Sequence, residues 1–405
     1  MKRYLLTWSV LVLLGFAPAL IDLAAATQNA PQNDTDVVEQ QARPAMGAAA
    51  NNLYYLPDRL APGIPGEVIH SERWDGYALP YKVSAVRILY HSVSARGQDV
   101  AASGVVLLPD SRAPADGWPV IAWAHPFTGA ASTCAPSLMK GLYGGAFLSV
   151  YVNMGYAVVA PDYAGLGTAS RSAALDAQSN ATDLIYSVKA ARTALPQLGT
   201  KWIAVGERHG GLAALIADER ELNLTDSGYF GSIAIDPVLD LKADIEASYQ
   251  QGQDKFAFLA YGLKTLYPEF NVRRILSPSS ISDYNVVGNR CYLARGLSGP
   301  ESRTMVANWN TDPLVIQFLR RNTLGLLRAK KPILLVSSSN APFTSGGSQT
   351  VTRMCKQGDN IDLEPYDVPG DNLMGESVST QLSWIRARFS GSAVYMTCPT
   401  GKNDL

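Results

Sequence analysis

The sequence predicts an α/β architecture: a mostly parallel central sheet with helices on both faces, interrupted late in the chain by a mainly helical insertion. Three observations point there. Short continuous apolar runs recur at residues 119–124, 156–160, 202–205, 229–235 and 332–336, as expected for strands buried on both faces. Stretches of helical period lie between them, the rhythm of a parallel sheet with crossover helices. Between the run at 202–205 and a helix opening at Leu212 sits a tight turn, Gly206-Glu207-Arg208-His209-Gly210-Gly211.

In chain order, Lys2-Arg3, an apolar run over 4–20 and Ala24-Ala25-Ala26 read as a secretory signal peptide spanning 1–26. A single membrane anchor competes, but Gly15, Pro18 and Asp22 interrupt the run. Residues 27–52 are polar and aperiodic, so a flexible leader is expected there. The folded region is expected at 53–239 and 331–405, with the insertion at 240–330 forming a cap over the carboxyl ends of the strands. Residues 83–90 and 100–109 read as an antiparallel pair at a sheet edge. Residues 147–154 look helical. Ser179 or Asn180 is the expected cap of a helix with Leu184, Ile185, Val188 and Ala191 on one face. Helices are expected at 257–266 and 314–327 within the cap, then at 348–357 and 377–389, with a strand at 361–366.

Net charge is −1 and only 17% of residues are charged, which argues against a nucleic-acid surface or a polybasic membrane patch. Cys134, Cys291, Cys355 and Cys398 show no metal-binding spacing, so no metal or cofactor is expected. An even cysteine count in an exported chain favours disulfides. Of three possible connectivities, Cys134–Cys291 and Cys355–Cys398 is the expected one.

The turn at 206–211 has the strand–turn–helix setting of a nucleophile elbow, Gly-x-Ser-x-Gly. Its glycines let strand and helix approach each other. The central position is Arg208, which stays protonated and cannot attack a carbonyl.

Several stretches in this order resemble the secretory lipase family of the α/β-hydrolase fold, which includes fungal lipase A and many bacterial exported esterases. They are Ser103-Gly-Val-Val-Leu-Leu-Pro109, Ala122-Trp-Ala-His125, Cys134-Ala-Pro-Ser137, Gly155-Tyr-Ala-Val-Val-Ala160 and Asp162-Tyr-Ala-Gly-Leu-Gly167. The resemblance runs over about residues 62–389 and implies a Ser/Asp/His triad acting on lipid esters. Carried over position by position, the serine falls on Arg208, the aspartate on Ala341 and the histidine on Asn372; no histidine follows His209. The oxyanion loop departs as well, reading His125-Pro-Phe-Thr-Gly129, and Pro126 removes a backbone donor.

With every triad position replaced, the expected protein is an exported, inactive lipase homologue that binds a lipid or other hydrophobic molecule. A residual carboxylic-ester hydrolase using other residues and a protein-docking scaffold are the alternatives. His125, Phe127, Thr128, His209 and Asp236 are the expected binding residues. Arg208 is expected to lie beneath the cap, away from bulk water. Its charge then needs a carboxylate, Asp236 in preference to Asp371.

Overall fold

The structure, a computed structural model, describes residues 60–219, 226–250, 255–292, 305–339, 346–393, 395 and 397–398. The expected signal peptide and leader lie outside the described residues, as does Ala341. The strands are β1 (Val68–Arg73), β2 (Val83–Val93), β3 (Asp99–Pro109), β4 (Trp118–Ala124), β5 (Ala157–Pro161), β6 (Leu198–Glu207), β7 (Tyr229–Ile235), β8 (Ile333–Ser338) and β9 (Ile361–Tyr366). They form one sheet in the order β1-β2-β3-β5-β4-β6-β7-β8-β9. The pairs from β1 to β3 and β3 with β5 are antiparallel, and the rest are parallel. The expected antiparallel edge is therefore present, extended outward by β1. The apolar runs became central strands because both of their faces are covered: Ile121, Ala122, Ile203, Ala204, Ile233 and Leu334 have no solvent exposure.

The helices are α1 (Gly145–Asn153), α2 (Ala177–Ala194), α3 (His209–Glu219), α4 (Leu241–Gln250), α5 (Phe256–Leu266), α6 (Ile281–Val287), α7 (Pro313–Arg321), α8 (Gly347–Lys356), α9 (Leu373–Glu376) and α10 (Val378–Phe389). One face of the sheet packs on Leu148, Tyr151 and Val152 of α1 and on Leu382, Trp384 and Ile385 of α10. The other packs on α2 and α3. The mainly helical insertion holds α4 to α7, and its Ile245, Phe258, Val287 and Phe318 belong to that second core cluster. Cap and sheet thus share one continuous core.

Several boundaries differ from expectation: β6 already opens at Leu198 and α3 at His209, ahead of the expected 202 and 212, and two further shifts have identifiable causes. Helix α2 begins at Ala177, so Ser179 and Asn180 lie inside its first turn. The Ser179 hydroxyl donates back to Asp176, whose other partners include Arg321. Helix α7 ends at Arg321 rather than near 327, because Asn322 is buried and binds Asp176 and the Phe318 carbonyl. Both expected disulfides are present, Cys134–Cys291 and Cys355–Cys398. Among the described residues no helix is long and apolar enough to cross a membrane.

Candidate functional site

The site lies where β6 turns into α3, with Arg208 alone between them. Side-chain atoms at Gly206 or Gly210 would collide with backbone, the first with the Gly210 carbonyl and the second with that of Ala124. The chain therefore reverses tightly, and Arg208 takes φ +50°, in the left-handed region. Its N–H donates to the Ile235 carbonyl at 2.9 Å and its own carbonyl accepts from Val238 at 3.1 Å. The elbow backbone is intact around a guanidinium.

That guanidinium is held from two sides. Nη1 meets Asp236 Oδ2 at 2.9 Å, and Nη2 donates to Asp371. Asp236 follows β7, the strand next to β6, and is itself left-handed at φ +44°. Asp371 comes from the turn after β9, which also holds Asn372. Both expected carboxylates thus reach Arg208. The expectation that Arg208 is shielded from bulk water is corrected: 44% of its side chain is accessible, because Asp371 sits at the rim and is itself 87% exposed. The turn approaches this closely because Gly370 lacks a side chain. A Cβ there would stand 2.5 Å from Asp236 Oδ2 and 3.2 Å from Arg208 Nη2. Asn372, the position matched to histidine, is exposed, and its neighbour Asp371 is the residue that touches the elbow.

Electrostatics follow from this crowding. Desolvation works against the charge of Arg208, but Asp236 and Asp371 outweigh it and hold the group more firmly protonated than usual. Burial pushes the Glu207 carboxyl up to about 7; Arg208 pulls it down, and Asp236 and Asp371 push it further up.

Of the binding candidates, His125, Phe127 and Thr128 line one small cavity, and His209 and Asp236 are not among its lining residues. His209 is 3% exposed, and neither ring nitrogen has a hydrogen-bond partner. Burial lowers its pKa to about 4, so it is neutral at ordinary pH. Phe127 lies edge-on to Phe258, with the rings 5.0 Å apart, and packs on His209 and Tyr292. His125 stacks on Tyr163 at 4.1 Å, with Nδ1 beside the Pro126 carbonyl and Nε2 beside that of Asp162. Desolvation lowers its pKa to about 4 as well. Thr128 is buried with its hydroxyl unpartnered, and it lines a cavity of about 10 Å³ with His125, Phe127 and Asn180. That is room for one water, not for an acyl chain.

Two features escaped the sequence reading. Tyr292 and Phe258 complete an aromatic cluster around Phe127, which itself packs on His209, and Cys291 beside Tyr292 was the available signal. The Cys134–Cys291 disulfide carries Tyr292 across the oxyanion loop, where its N–H donates to the Thr128 carbonyl at 2.7 Å. The titration of Glu207 had no signal in the sequence.

The chain matches no protein-family model, and no curated protein is significantly similar to it. Its fold is similar to that of Candida antarctica lipase A, with a TM-score of 0.69 and 16% identity, covering 86% of this chain and 88% of that one. It is also similar to the rice cell wall degrading esterase LipA from Xanthomonas oryzae, with a TM-score of 0.64 and 19% identity, covering 81% and 98%. The fold is that of the α/β-hydrolases.

Proposed function

We propose that this chain is an exported, non-hydrolytic relative of the lipases and esterases, which holds a hydrophobic ligand beneath its cap without cleaving it. One observation carries the reading: the apex of the elbow bears a guanidinium fixed between Asp236 and Asp371. Acyl transfer needs a nucleophile and a base within hydrogen-bond reach. Arginine supplies neither, and His209 beside it is neutral, buried and without a partner. The core-facing side of the cap is apolar and aromatic: its Phe258 and Tyr292 pack on each other and on Phe127 of the oxyanion loop. The cavity beside Phe127 and Thr128 holds about one water, so an apolar ligand entering there would have to displace this cluster. The disulfides and the basic–apolar amino terminus support export.

Two measurements test the reading. A serine-directed fluorophosphonate is expected to leave the protein unlabelled, with no turnover of short acyl esters above background. Native mass spectrometry of purified protein is expected to show a retained lipid. Labelling of a serine together with ester turnover would establish a hydrolase instead, and a ligand-free spectrum after incubation with lipid would remove the binding half.

A further inference from the structure

At the opposite end of the sheet from Arg208, between α7 and β8, residues 324–331 form a loop whose backbone is unusually well anchored. Gly325 N–H donates to Glu219, and Ala329 N–H to Asp359 at 2.9 Å. Lys330 and Lys331 N–H both donate to Asp218 Oδ1, each at 2.9 Å. The Leu324 carbonyl accepts from Arg353, and that of Leu327 from Gln357, both near the end of α8. The three carboxylates are buried and spent on backbone. These three acids therefore face inward, and residues 322–332 and 347–358 contain no Asp or Glu.

What the loop displays outward is different in kind. Leu326 and Leu327 are 44% and 50% exposed, two large aliphatic side chains on a rigid tip. Around them Arg328, Lys331 and Lys356 are exposed, and none of the three forms an ion pair among the described residues. Arg328 lies beside Gly358, which ties the loop's cations to the Lys356 end of α8. A chain with net charge −1 thus concentrates positive charge around an apolar tip.

We propose that this loop docks the protein on an anionic phospholipid surface. Aliphatic tips enter the boundary between headgroups and acyl chains, while long cationic stems lie along it and place their charges on phosphates. The composition favours lipid over protein: protein interfaces are enriched in aromatic residues and depleted of lysine, whereas residues 324–331 hold two lysines and no aromatic residue. The face lies at the amino ends of the parallel strands, so docking leaves the Arg208 side free. The proposal does not rest on the function proposed for that side.

Sedimentation of the purified full chain with vesicles tests it. Binding is expected to vesicles containing ~30% phosphatidylglycerol, with little to phosphatidylcholine alone, and it is expected to weaken as salt rises. Leu326→Ser/Leu327→Ser and Lys331→Glu/Lys356→Glu are each expected to lower partitioning about tenfold or more. Unchanged circular dichroism would show that both variants fold, since the anchoring carboxylates are untouched. Equal binding to both vesicle types, no binding to either, or binding indifferent to both variants overturns the proposal. So does preferential binding of polyglutamate over anionic vesicles, which would assign the patch to an acidic protein.

Discussion

Arg208 is where side-chain chemistry and backbone geometry part company: the backbone still takes the left-handed turn of an elbow, while the side chain offers only donors. That arginine needs a carboxylate there follows from desolvation alone, and so was legible in the sequence. That it would take two, one of them at a solvent-exposed rim, was not, because the position of the turn after β9 depends on packing far along the chain. The exposure also changes the energetics. A wholly buried pair would cost several kcal/mol to break, whereas a half-exposed one is worth much less. Arg208→Ala is expected to lower stability by about 1–2 kcal/mol, read from denaturant titration. Gly370→Ala is expected to act through the same contact, because its Cβ must push the Asp236 carboxylate away from the guanidinium. The two costs should therefore fail to add: in an Arg208→Ala background, Gly370→Ala should be at least about 0.5 kcal/mol milder than alone. Strict additivity would mean that the glycine is needed for some other reason.

At the scale of elements, the central strands were legible because a run such as Val120-Ile-Ala-Trp-Ala124 suits little but burial on two faces. Strand β1 was not. Its residues, Val68 to Arg73, are intermediate or exposed, and it exists because β2 offers an open edge. Helix α7 was read too long because Leu324, Leu326 and Leu327 continue its apolar pattern, yet Leu324 is buried and the other two point outward. The cap was legible as a helical insertion, but not the means of its attachment. Residues 290–292 pair with the oxyanion loop through Gly129 and Thr128, and the Cys134–Cys291 bond closes a separation of 157 residues. Removing this bond with Cys134→Ser/Cys291→Ser is expected to cost about 2–4 kcal/mol. Because Tyr292 rides on that segment and packs on Phe127 and Phe258, the variant should also bind a hydrophobic dye such as ANS more strongly than the wild type near neutral pH. A variant with wild-type dye binding would show that the aromatic cluster holds the cap without the bond.

The whole molecule buries ionisable groups of both kinds, and their opposed titrations predict how stability changes with pH. Burial raises the carboxyls of Asp183, Asp218 and Glu207 to about 7. Each keeps a proton in the folded state that the unfolded chain has already shed, so each favours folding at low pH and loses that contribution as pH rises through its folded pKa. His125 and His209 are lowered to about 4. They refuse a proton that the unfolded chain accepts below about pH 6.5, so their contribution grows as pH rises to that point and then stops. Below about pH 6.5 the two sets oppose each other; above it only the acids still change. The thermal midpoint is therefore expected to fall between about pH 6.5 and pH 8, then level off. Asp218 gives the sharpest check. Its Oδ1 accepts from the N–H groups of Lys330 and Lys331, and its Oδ2 meets the Ser232 hydroxyl. A protonated carboxyl can satisfy all three by donating to the hydroxyl, and so can an amide. Asp218→Asn should then keep the loop in place while making the fall in midpoint shallower. A midpoint that stays level or rises over that range would show that these carboxyls are ionised in the fold, and that the backbone N–H groups around them outweigh their burial.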